Sequence, residues 1–150
     1  RVNPRWLRVC DIPEPRTGLE AKFSYRLTSA MALAGRDTGA LDAFTEEACA
    51  EPALIALRDR VRVEGDGSIS DTAAHVTLAL TGGGRAERFV DLDQPIPFSE
   101  RRARIEAKLA SLLGAETAGE VVTLSDGLYT IDARTIAAAL ARLAARKGRP

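Results

Sequence analysis

Ala74-His75-Val76-Thr77-Leu78-Ala79-Leu80-Thr81, then Gly82-Gly83-Gly84, then Arg85-Ala86-Glu87-Arg88-Phe89-Val90-Asp91-Leu92: this stretch decides the fold class. Val76, Leu78 and Leu80 alternate with His75, Thr77 and Ala79, the period of two that a strand requires. Three glycines follow, and then a second run able to return alongside the first. The reading is an antiparallel hairpin. A phosphate-cradling loop is the competing reading of the glycines, but such loops lead from a strand into a helix N-terminus. These lead into another strand.

On the N-terminal side, Val61-Arg62-Val63 reads as a further strand closed by a Gly65-Asp66-Gly67 turn. Before it the period changes. Residues 20–34 place Phe23, Leu27, Ala30, Met31 and Ala34 on one helical face, and Gly35 stops the helix. A short helix is expected over residues 41–49. A third opens at Glu51-Pro52, with proline at the first helical position, and ends near residue 59. Residues 6–12 read as a strand ended by Pro13 and Pro15.

On the C-terminal side, Pro95 and Pro97 mark a loop. Ser99 is expected to cap a helix over residues 100–113, with Ile105, Leu109, Leu112 and Leu113 buried and Gly114 closing it. Residues 121–124 read as a short β-like stretch. Asp132 caps a last helix over residues 134–146, whose apolar stripe is Ile136, Leu140 and Leu143. That stripe is expected to fold back on the domain or to pair with a second copy. Grouped helices and an antiparallel sheet make the expected class α+β, with the helices on one side of the sheet, rather than a doubly wound parallel fold.

Composition narrows the function classes. The chain has 150 residues, enough for one self-supporting core. Hydrophobic residues make up 45% and charged residues 28%, a globular balance. Basic and acidic residues number 21 each, without the basic excess of a nucleic-acid binder. Arg101, Arg102 and Arg104 read as a solvated helix face. Cys10 and Cys49 match no metal or redox spacing, and both read as reduced, Cys49 as a small core residue. His75 has no second ligand nearby in sequence, so no metal is expected. No signal peptide or membrane-length apolar run is present, which points to the cytoplasm. The chain begins at Arg1 rather than Met, which reads as a piece of a longer protein.

One stretch carries chemistry. Gly18-Leu19-Glu20-Ala21-Lys22-Phe23-Ser24-Tyr25 places an ammonium, a hydroxyl and a phenol near the expected start of a helix. Free N–H groups and the positive dipole end suit a carboxylate there. Only three of the 21 basic residues are lysines: Lys22, Lys108 and Lys147. A chain so biased towards arginine keeps lysine where a compact ammonium matters, or by chance.

Glu20-Ala21-Lys22-Phe23-Ser24 and the Ala-rich helix ending at Gly35 resemble the E-A-K-F-S signature of the MmgE/PrpD family. That family includes 2-methylcitrate dehydratase, cis-aconitate decarboxylase and iminodisuccinate epimerase. The resemblance continues through Phe44, Pro52 to Leu57, Arg60-Val61-Arg62-Val63, the hairpin with Arg85, and Pro97-Phe98-Ser99-Glu100 with Lys108. It covers about residues 2–113.

It implies the lid of a two-domain lyase or isomerase, residues 1–114, with residues 115–150 returning to an N-terminal helical domain. The implied substrates are small di- or tricarboxylates, handled by proton abstraction next to a carboxylate, with dehydration favoured. No organic cofactor, metal, nucleic acid or membrane is implied, and a homodimer is expected. Lys22 carries over as the catalytic candidate, with Phe23, Ser24 and Tyr25 as substrate-binding candidates. Many members have an aromatic residue three positions after the motif serine, where this chain has Leu27. A stand-alone carboxylate-binding or association module is the alternative.

Overall fold

The computed structural model describes residues 1–147. It is an α+β fold with an antiparallel sheet, as the sequence indicates, and among the described residues the sheet has two strands. Ten elements follow one another: α1 (Leu7–Cys10), α2 (Gly18–Lys22), α3 (Tyr25–Leu33), α4 (Glu46–Ala50), α5 (Pro52–Arg58), β1 (Ala73–Ala79), β2 (Arg85–Asp91), α6 (Phe98–Leu113), α7 (Ala115–Asp126) and α8 (Ala133–Lys147). Short 3-10 turns cover Pro4–Trp6 and Leu41–Ala43. The chain forms two compact units, one spanning Arg1–Pro95 and the other beginning at Ile96. The boundary between the units falls before α6.

In the first unit, α2 to α5 enclose a small core of Ala21, Leu27, Met31, Cys49 and Leu54, with Ala43, Phe44 and Ala48 packed against it. Cys49 is the small core residue its composition suggests, and both cysteines are free. Gly18 is required by this packing. A Cβ there would stand 2.2 Å from the Phe44 carbonyl oxygen, closer than any contact tolerates.

The hairpin pairs His75 with Phe89 and Leu78 with Ala86, about the glycine turn. The chain's first residues lie along the other edge of β1. His75 N–H donates to the Arg1 carbonyl, and Val2 bonds to Glu64 and Asp66 through its N–H and carbonyl. Asn3 and Trp6 then donate to the carbonyls of Ile69 and Asp71, tying down the long loop before β1.

Several expected elements differ. Within residues 6–12, those up to Cys10 are helical and Asp11 forms only an isolated bridge to Ser24, so no strand is present. Asn3 accepts the Arg5 N–H and Pro4 occupies the first helical position, so a helical start overrides the alternating apolar pattern. Residues 61–63 are not a strand either: the pairing with Val2 begins only at Glu64 and amounts to an isolated bridge at Gly65. The expected helix 20–34 is two helices, broken at Phe23–Ser24. That over 41–49 begins only after Thr45, whose hydroxyl accepts the Ala48 N–H.

The second unit contains α6 and α7 packed together, followed by α8. Residues 121–124 lie inside α7 and not in a β stretch. Ser99 lies inside α6, which starts one residue earlier after Pro97, so it is not the cap. Gly114, at φ +79° and ψ 154°, separates α6 from α7 in a conformation reserved for glycine. Arg102 fastens the pair with two bonds to Asp126 of α7 (2.7 and 2.6 Å), and Glu106 on its own helix holds the guanidinium in place at 2.6 Å. Asp132 caps α8 as expected, accepting from the N–H groups of Arg134 and Thr135. On α8, Ala139 is buried, Ile136 and Leu143 are half-buried and Leu140 is exposed.

Candidate functional site

The motif residues sit at the junction of α2 and α3. Thr17 opens α2 by accepting the Glu20 N–H at 3.2 Å, while the Glu20 carboxylate accepts the Arg16 N–H at 2.6 Å. This is a variant of the Thr-x-x-Glu capping box, in which Glu20 reaches the N–H one residue before the cap and not that of Thr17. The helix runs for five residues and ends at Lys22. Its own N-terminal N–H groups therefore lie at the end away from the lysine. The expected site, with Lys22 at the start of one long helix, is corrected on this point.

Ser24 restarts the helix. Its Oγ accepts the Leu27 N–H at 3.2 Å and donates to the Ile12 carbonyl at 2.6 Å. The side chain is 1% exposed. A hydroxyl with both roles taken and no surface is a structural cap, so this arrangement does not offer Ser24 to a ligand. Tyr25 is half-buried beside Cys10, and burial, reinforced by Cys10, pushes its phenol up. It stays neutral at ordinary pH.

Lys22 and Phe23 remain on the surface. The Lys22 ammonium stands 5.9 Å from the centre of the Phe44 ring, at the limit of a cation–π contact. Among the described residues no carboxylate pairs with Lys22, whereas the nearby Arg26 is paired with Asp11 at 3.3 Å. The four motif residues therefore divide: Lys22 and Phe23 face solvent, and Ser24 and Tyr25 hold the junction together.

An open cleft of about 350 Å³ on the same unit is lined by Cys49 and by residues that the sequence did not single out, Glu14, Arg16, Glu46, Ile55 and Arg58 among them. Lys22 does not line it. Arg58 is largely buried there, its guanidinium held by Asp59 at 2.7 and 2.8 Å. Two carboxylates offset the two guanidinium groups of the lining, so the cleft has no net pull on an acid. Burial, with Glu20 and Glu46 nearby, pushes the Cys49 thiol up, which keeps it protonated and unreactive. The only signal for Arg58 in the sequence is its spacing of four from Leu54, on the inward face of α5.

His75 sits on β1 between two partners. Nδ1 lies 2.6 Å from an Arg1 guanidinium nitrogen and Nε2 lies 3.5 Å from Glu87. Its side chain is half-buried rather than freely solvated. Among the described residues no group of three potential metal ligands occurs, and no helix is long and apolar enough to cross a membrane. No family model, curated protein or solved structure matches the chain.

Proposed function

We propose that this chain is the carboxylate-facing lid of a cytoplasmic lyase or isomerase of the MmgE/PrpD type, acting on small di- or tricarboxylates. The observation that carries this reading is Lys22. It is an exposed ammonium without an acidic partner among the described residues, set beside an aromatic ring at a rigidly capped junction. The Glu-Ala-Lys-Phe-Ser motif supports the same reading.

In this role the ammonium attracts one substrate carboxylate and steadies the negative charge that develops when a neighbouring C–H loses its proton. Phe23 supplies an apolar wall. Ser24 acts at one remove, by fixing the turn that presents both. The remaining catalytic groups come from a helical domain, and the site is assembled only when the two are brought together. The lid alone is expected to bind acids weakly and to turn none over.

The test is an NMR titration of the chain with citrate, 2-methylcitrate, cis-aconitate and succinate. Shifts centred on Lys22 and Phe23, lost in Lys22→Gln, support the reading. Spectra unchanged by all four acids, or unchanged shifts in Lys22→Gln, overturn it. A second reading, an association module, is favoured by a different observation: Val76, Leu78, Leu80, Phe89 and Val90 of the hairpin are all exposed.

A further inference from the structure

Among the described residues, the hairpin has one covered edge and one open one. His75 N–H reaches outward from β1 to the Arg1 carbonyl, while Leu80 and Leu92 donate across the hairpin to Gly84 and Thr72. Antiparallel ladders alternate inward and outward residues. Even-numbered residues of the hairpin therefore bond within it, and odd-numbered residues point their backbone groups away. On β1 the outward row meets the chain's first residues. On β2 the outward row belongs to Arg85, Glu87, Phe89 and Asp91, and the strand is exposed from Arg85 to Val90. It carries no proline and no bulge, the devices that usually blunt an open edge.

We propose that two copies of this chain pair through β2, antiparallel about Arg88, to form one four-stranded sheet. The register follows from charge. A two-fold axis at Arg88 places Arg85 of each copy opposite Asp91 of the other, and Glu87 opposite Phe89. All of these are outward residues. No bond within the hairpin occupies the backbone groups of Arg85, Glu87 and Phe89, whereas the Asp91 carbonyl also accepts the Gln94 N–H at 3.3 Å and leaves its own N–H for the partner. Sliding by one repeat in one direction sets Glu87 against its own copy. Sliding in the other direction sets Glu87 against Asp91. Both alternatives bring like charges together. The one like-charge meeting in the chosen register is Arg88 with its own copy. It falls on the other face, where Arg88 is solvent-exposed.

Val76, Leu78 and Val90 lie on the same face of the hairpin as Arg88, so at the axis that face carries the two Arg88 side chains, flanked on each side by Val90 of one copy against Ala86 of the other. A lone two-stranded hairpin is marginal, and four strands are not. The interface is small beside the roughly 1,200 Å² that marks lasting complexes, so the dimer is reversible. The ion pairs choose the register more than they supply affinity. None of this depends on the carboxylate reading of Lys22.

Sedimentation velocity over a dilution series tests it. The wild-type chain is expected to shift reversibly between monomer and dimer. Arg85→Asp and Asp91→Arg are each expected to lose the dimer, because each sets like charges across the axis. An equimolar mixture of the two is expected to recover it as a heterodimer, since both cross-axis pairs are then opposite in sign. A wild-type chain that stays monomeric throughout overturns the proposal, as does a mixture that recovers nothing from two folded variants. Hydrogen exchange on the wild type alone gives an independent reading. The Glu87 and Phe89 amides must gain protection with concentration, while those of Val76 and Leu78 stay protected at all concentrations. Glu87 and Phe89 amides indifferent to concentration count against β2 as the interface.

Discussion

The Ser24 hydroxyl donates to the Ile12 carbonyl and accepts the Leu27 N–H, at 1% exposure. Ser24→Ala removes a helix cap and leaves a carbonyl without its donor, at a cost of about 1–3 kcal/mol. Urea unfolding checks this. A loss under about 0.5 kcal/mol, the range of a neutral surface change, contradicts the structural role given to Ser24. Lys22→Gln removes no core contact and is expected to stay within that neutral range. Two residues of one motif thus separate by their effect on stability. The sequence showed that the motif carries chemistry-bearing groups, but not which of them faces out. The break at Phe23–Ser24 decides that, and it depends on the Ile12 carbonyl, twelve residues away. No local period records such a partner. Asp132 makes the residue-scale case for pH. The hydroxyl and N–H of Thr135 hold its carboxyl below the usual aspartate range. A folded value that is depressed stabilises fully above the unfolded value of about 3.9, and the contribution is lost as pH falls through the lower folded value. The first turn of α8 is therefore expected to fray on acidification below about pH 4. Thr135 amide exchange against pH measures this, and fraying that begins above that range contradicts it.

At the scale of elements, the glycines separate turns from interiors. Gly18 packs its α-carbon against the Phe44 carbonyl, and an added methyl collides with backbone that cannot move aside. Gly18→Ala is expected to destabilise by roughly 1–3 kcal/mol. Gly119 lies inside α7 with open space around it. Gly119→Ala is expected to stabilise by about 0.5–1 kcal/mol, since alanine loses less backbone freedom on forming a helix. Thermal unfolding of the two variants should move in opposite directions, and movement in the same direction contradicts this account. The elements legible in the sequence were those whose ends are written locally: the hairpin with its three glycines, α5 behind Pro52, α3 stopped by Gly35 at φ +74°, and α8 behind Asp132. The illegible ones share β-branched residues without a neighbouring strand. Val61 and Val63 alternate correctly, yet nothing extends a ladder to them. Val121 and Val122 favour strands intrinsically, but a run from Ala115 to Asp126 held to α6 by Arg102 keeps them helical. Strand propensity is realised only by pairing, and pairing is non-local.

At the scale of the molecule, the core of the first unit is small. Leu27, Met31 and Leu54 are its largest fully buried apolar side chains, and they come from α3 and α5. Few residues share the packing, so each truncation is felt strongly. Leu54→Ala removes a side chain that is 1% exposed and leaves a void that short, capped helices cannot close. The expected cost is about 2–5 kcal/mol. Because the chain is built as two compact units, that cost should appear in one of them. Hydrogen exchange at the residues of α3 and α5 is expected to accelerate, while exchange in α6 and α7 stays as it was, since local stability follows the unit whose core is damaged. The Arg102–Asp126 bonds and the Gly114 junction that define α6 and α7 contain no residue of the first core. Equal acceleration in both units would mean that they unfold as one, and that the boundary at Pro95 is not an energetic one. Acceleration confined to the first unit would locate the support of the Lys22 junction in the five-residue core behind it. The motif would then depend on Leu54 for its shape and on Ser24 for its register.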